Sequence, residues 1–249
     1  MGGETGKDVM DTPVQMMFNE ELKSLHRRPG YTSILDYVSD MCNRVSTKPL
    51  DKVAGLVYPL DPDVIPIYNA KQSPEEAWEV LMDVMGSEYE AQLLFFYPEP
   101  GDGKKLWRPS WQQVTSDRIV VPQYYFLDKM NRTEDPDIDC YTGYCIKSGT
   151  VRGLGEVPNE PTPRHGEVDI NDDNGAPHTL RVIADHMHPI PDGVYMLLAC
   201  NGLGNPDPWV LGQIRQDGRF EKLSVFHSAD DAAPLYSLQL HRYVKTALC

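Results

Sequence analysis

The sequence predicts an α+β protein, with a helical N-terminal layer over about residues 14–98 packed on an antiparallel β-sandwich or barrel. The β-rich part is expected over about 105–232, with a C-terminal helix completing a second segment, 105–249, which forms either its own domain or one unit with the first. Three observations carry this reading. Apolar residues recur at offsets of three and four between Ser33 and Tyr97. Beyond the turn cluster Pro98-Glu99-Pro100-Gly101-Asp102-Gly103 the apolar runs shorten to strand length, punctuated by Gly, Pro and Asn. No helical stretch long enough for a parallel crossover separates those runs, so the strands pair antiparallel.

The first helix has Ser33 as N-cap and Ile34, Leu35, Val38, Met41, Cys42 and Val45 on one face. A short helix follows over Leu50 to Tyr58, ended by Pro59, and Pro62 and Pro66 keep the next connection extended. Ser73-Pro74-Glu75-Glu76 combines a capping Ser, Pro at the first helical position and Glu three residues after the cap, and Ala77, Val80, Leu81 and Val84 continue its stripe to Gly86. Tyr89 to Tyr97 reads as a further helix, although Leu93-Leu94-Phe95-Phe96 alone fits a buried strand equally well.

Strands are expected over Arg118–Phe126, Cys140–Lys147, Glu167–Ile170, Thr179–Asp185, Val194–Cys200, Trp209–Arg215 and Arg219–Phe226. The last two are joined through Gln216-Asp217-Gly218, because Asp-Gly supplies the positive φ of a tight hairpin. Leu235 to Thr246 reads as the closing helix. Residues 134–173 hold ten Asp+Glu against three Lys+Arg, and with Pro158, Pro161 and Pro163 this predicts an acidic loop within the stretch.

Across 249 residues, 37 Asp+Glu against 23 Lys+Arg leave a net charge of -14, which repels phosphate backbones and anionic membranes. No nucleic acid and no membrane partner is expected. Met1-Gly2-Gly3-Glu4 opens a polar stretch without the apolar core of a signal peptide, no run reaches membrane-span length, and the expected location is cytoplasmic. Five cysteines, with only Cys140 and Cys145 close together, read as free thiols and not as a zinc framework.

Leu50-Asp51-Lys52-Val53-Ala54-Gly55-Leu56, then Ile65-Pro66-Ile67-Tyr68, then Ser73 to Leu81 resemble the segment that follows the effector domain in fungal heterokaryon-incompatibility (HET) proteins. In that family a "DRVYGL"-type helix, an "LPIYD"-type strand and an "S-x-E-x-A-W" helix occur in this order. Tyr97 to Gly101, Trp107-Arg108-Pro109-Ser110-Trp111 and Phe220 to Val225 are similar to further segments of mushroom members. The likeness covers residues 25–115 and, more loosely, 205–232. The family's upstream domain, with its "ALSYxWG" and "IDxxCINQ" motifs, has no counterpart here, so its effector role is not carried over. The resemblance implies a fungal, cytoplasmic accessory module. On the residues alone, Trp78, Trp107 and Trp111 are apolar anchors between a helical layer and a sheet.

Asp185-His186-Met187-His188 is the candidate site, since in a strand His186 and His188 point to one face, as does His178. Two such imidazoles serve acid/base catalysis, or ligate a divalent metal with Glu167 of His165-x-Glu167-x-Asp169, with Asp169 or Asp192 as substitute carboxylates. Gly153-Leu154-Gly155 and Gly202-Leu203-Gly204 lack the context of a dinucleotide fingerprint, and Ser148 and Ser224 sit in no nucleophile elbow. The expected function is therefore a binding module acting through a protein partner, with no cofactor. The alternative is a small-molecule enzyme or binder that uses His186 and His188, with a divalent metal as its cofactor if it has one.

Overall fold

The computed structural model describes residues 33–46, 48–116, 128–135, 137–157, 162–171, 175–200, 208–229 and 242–249. It is α+β, with helices preceding an antiparallel sheet. The expected strand over Arg118–Phe126 lies outside the described residues.

Helix α1 (Ile34–Asn43) starts at a reciprocal capping box: the Ser33 hydroxyl accepts the Asp36 N–H while the Asp36 carboxylate accepts the Ser33 N–H. Helix α2 (Pro49–Leu60) runs past Pro59, where the sequence predicted its end. So close to the terminus Pro59 forfeits a single hydrogen bond. The helix stops instead at Asp61, which turns left-handed at φ 39° and donates its N–H to Val57 O. Helix α3 (Pro74–Val84) carries the second capping box, Ser73 with Glu76, and α4 (Ser87–Phe96) is buried from Glu90 to Phe96, which decides for helix over strand there. The six-residue α5 (Trp111–Ser116) was not foreseen, because one and a half turns show no period. Its N-terminal amides are capped from α3, with Glu75 accepting the Trp111 N–H at 2.9 Å. Trp78 donates its indole N–H to Pro109 O at 2.9 Å and lies 5.5 Å from the Trp111 ring.

The strands are β1 (Met130–Arg132), β2 (Asp139–Arg152), β3 (Arg164–Asn171), β4 (Pro177–Ala184), β5 (Gly193–Ala199), β6 (Pro208–Ile214), β7 (Phe220–Ser228) and β8 (Arg242–Ala247). They pair in the order β1-β2-β3-β4-β7-β6-β5, and β5 pairs back onto β2, so the path returns to its second strand. The 14-residue β2 makes this possible: β1 and then β5 lie along one edge, β8 and then β3 along the other. The expected C-terminal helix is corrected by β8, whose register with β2 runs from Cys140↔Ala247 to Cys145↔Arg242. Thr246 and Leu248 are buried while Tyr243 and Lys245 are exposed, an alternation of period two that the helical reading missed. Where the acidic loop was expected, Thr162 and Pro163 carry no regular structure and β3 begins at Arg164.

Alternation along the strands builds two cores. Ile146, Val168, Ile170, Leu197, Trp209, Leu211 and Phe226 point to one face, and their neighbours Cys145, Leu198, Val210 and Val225 point to the other. That second face meets Trp78, Leu81, Phe95, Tyr97 and Trp107 from the helical layer. Each such side chain fully buried contributes roughly 1.5–3 kcal/mol. Ser33–Cys249 therefore form one compact unit.

A buried charge network ties the layers. Arg108 bonds Asp83 at 2.8 Å, Glu90 at 3.2 Å and Asp139 at 3.1 Å, and Lys105 and the Trp107 indole N–H also reach Asp139. Arg132 of β1 donates to Asp83 O and, at 3.1 Å, to Met85 O, which puts a cation at the C-terminus of α3, whose own last turn has none. Burial pushes the Glu90 carboxyl up to about 7, against the pull of Arg108 and Arg132.

Candidate functional site

The His186/His188 segment begins where β4 leaves the sheet. The β4–β7 ladder pairs Val182 with Ser228 and Ile183 with His227, and two residues further on the same register would set Asp185 opposite Val225. There the chain bends, so the strand geometry expected to align His186 and His188 is not found: residues 186–188 form a bend beyond the end of β4. The His186 Nε2 lies 2.8 Å from Val225 O, so the imidazole donates where the next ladder amide would have done.

Arg164, buried at the start of β3, holds the same bend from the other side. Its guanidinium donates to Leu154 O, to His186 O at 2.9 Å and to His188 O at 2.6 Å, while Nη2 stands 3.5 Å from the His186 Nδ1. Asp185 meets His227 at 2.6 Å, and the Tyr195 hydroxyl donates to Pro191 O at 2.8 Å. Asp185 through Pro191 is thus clasped by β3, β5 and β7.

The electrostatics follow from that packing. Burial drives the His186 imidazole down to about 4, with the neighbouring Arg164 acting in the same direction, so it is neutral at pH 7. His188 is also lowered, by burial first, although Glu99 opposes this from 3.7 Å. The His227 contact lowers Asp185. A neutral His186 with Nε2–H donating and Nδ1 facing a guanidinium has no lone pair directed at open space.

The proposed carboxylates have other partners. Glu167 and Asp169 face outward on β3 and share Arg152, at 3.3 and 2.7 Å, and Asp169 also accepts the Thr179 hydroxyl. Asp192 accepts the Gly153 N–H at 2.9 Å. Among the described residues no three His, Cys, Asp or Glu side chains gather as a metal would require. Cys140 and Cys145 are buried free thiols, both raised by burial.

Two features escaped the sequence reading. Lys222 is 0% exposed on β7, donating from Nζ to Leu93 O at 3.2 Å and lying 5.8 Å from the centre of the Tyr97 ring. Desolvation drives its amine down to about 7. It stands opposite Gly212, beside a bulge, a placement that the sequence did not signal. The second feature is the connection between α2 and α3. Pro62 and Pro66 are buried there, yet Val64, Ile65 and Ile67 are 63%, 73% and 95% exposed, and Tyr58 at the end of α2 is 87% exposed. The prolines pin the loop inward and turn its apolar side chains out. Ile65 to Tyr68, a strand in the resembling family, lies outside helix and strand here and pairs with no strand among the described residues.

No helix among the described residues is long and apolar enough to cross a membrane. No protein-family model matches the chain, and neither a curated protein nor a solved structure is significantly similar to it.

Proposed function

We propose that this protein is a cytoplasmic binding module of HET-like descent that works through contacts with a protein partner. The observation that carries the reading is the outward display of Val64, Ile65 and Ile67 next to the buried Pro62 and Pro66, with Tyr58 a few residues before them in sequence. A folded chain with ample core elsewhere gains nothing by exposing four large apolar side chains within ten residues, whereas a partner that covers them does. The stretch also holds the Ile65-Pro66-Ile67-Tyr68 segment on which the family resemblance rests. A net charge of -14 argues against nucleic acid as that partner. The alternative, an enzyme or small-molecule binder using His186 and His188, has less support, because those residues fasten a bend to β3 and β7.

The test is a quantitative pull-down from fungal extract with the full chain, its Ile65→Asp/Ile67→Asp variant and a His186→Ala control. Proteins retained by wild type and by His186→Ala but lost from the double variant support the reading. An identical retained set on all three, or none on wild type, overturns it.

A further inference from the structure

We infer that the surface displayed between α2 and α3 takes an extended peptide segment of a partner in which aliphatic residues are flanked by Lys or Arg. This rests on the protein-contact reading above and adds the chemistry of the occupant. Three properties of the loop select it. The aliphatic side chains of Val64, Ile65 and Ile67 call for aliphatic partners. Asp61 and Asp63, both exposed, bracket the apolar run at its N-terminal side, in a chain whose net charge is -14, so a basic segment is attracted and an acidic one repelled.

The third property is backbone. Among the described residues, Val64, Ile65 and Ile67 take part in no backbone–backbone hydrogen bond, and residues 65–69 lie outside helix and strand. With no backbone partner among the described residues, their amides and carbonyls suit a strand laid alongside, which supplies main-chain hydrogen bonds while alternate side chains meet the aliphatic row. Pro62 precedes the run and Pro66, which has no N–H, interrupts it, so the amides on offer within it are those of Val64, Ile65 and Ile67. A helix laid on the same loop would leave those backbone groups without partners.

The test pans a displayed library of random twelve-residue peptides against the full chain, with counter-selection on Ile65→Asp/Ile67→Asp. Selected peptides are then measured against wild type, that variant and Asp61→Asn/Asp63→Asn. Asn at position 61 tolerates the left-handed φ of 39° found there, so the second variant removes charge without disturbing the turn. Expected are peptides with paired aliphatic residues beside Lys or Arg. Their Kd should weaken at least tenfold in the apolar variant and on the order of three- to tenfold in the Asn variant or in high salt.

Uncharged or acidic peptides that still require Ile65 and Ile67 overturn the basic-peptide inference and leave the protein-contact reading standing. No enrichment over the counter-selecting variant overturns the inference, and joined to a failed pull-down it removes the reading beneath it. Micromolar dimerisation of wild type, abolished in Ile65→Asp/Ile67→Asp and seen by light scattering, makes a second copy of the chain the occupant and equally overturns the inference.

Discussion

Replacing Lys222 by Met removes the amine enclosed between β7 and α4 while keeping an unbranched side chain of similar reach. In the folded protein this amine is lowered from its ordinary 10.5 to about 7 by desolvation. The folded state therefore holds the proton less tightly than the unfolded one, and the cost of enclosing the charge is fully present below pH 7 and vanishes above about 10.5. At about 1.4 kcal/mol per tenfold change in proton affinity, that cost is roughly 4 kcal/mol at pH 7 and about 1 kcal/mol at pH 10. Against it stands the loss of one hydrogen bond and a weak ring contact, together about 1–2 kcal/mol. Leu93 O is not orphaned by the change, because it also accepts the Tyr97 N–H at 3.3 Å. Lys222→Met should therefore be about 2–3 kcal/mol more stable than wild type at pH 6.5, and this advantage should disappear or reverse by pH 10. Urea unfolding followed by tryptophan fluorescence at several pH values measures the difference and cancels every other titrating group. A difference that is constant across pH, or a variant already less stable at pH 6.5, would refute the reasoning.

The remaining predictions concern the caps, the clasp and the last strand. Ser73→Ala removes the capping box of α3 and should cost about 1 kcal/mol, read as a lowered urea midpoint. His186→Ala leaves Val225 O without its donor and should cost about 1–3 kcal/mol, while prolonged EDTA dialysis of wild type should leave Tm unmoved. Arg164→Met strips a buried guanidinium from three carbonyls and should cost about 2–4 kcal/mol, with the earliest loss of amide protection in residues 185–191. Thr246→Ala separates strand from helix at the C-terminal segment: it should destabilise by about 1 kcal/mol because Thr246 pairs with Tyr141 in β8, whereas a helix there would be strengthened.

Local signals that act within one element were readable. Ser33 and Ser73 announced their helices because a capping box satisfies amides a few residues away, and Asp217-Gly218 announced its hairpin because Gly218 sits at φ 81°. The reading failed where a partner distant in sequence decides the outcome. Residues 242–247 are a strand because β2 offers an edge there, and β1 and α5 are too short to show any period. The histidine segment illustrates the same limit. Its composition was visible, but the bend after Ala184, the three carbonyls gathered by Arg164 and the partners of Glu167 and Asp192 all depend on sheet register. Lys222 was invisible for a related reason, since only the approach of α4 turns an ordinary strand lysine into an enclosed one.

The last strand also sets a timetable for synthesis. When a ribosome has made α1 to α5, the layer is complete in sequence but not in substance: its core includes Leu248, and the Trp107 N–H is to be met by Cys249 O at 3.1 Å. At 5–20 residues per second, about 5–20 s separate the appearance of Asp139 from that of Cys249. Throughout that interval the Asp139–Cys145 edge has no β8 against it, and the apolar face above it is unsealed. A nascent-chain holdase would find its binding site there, and a stalled ribosome anywhere before residue 242 would present an open sheet edge to its neighbours on the same message.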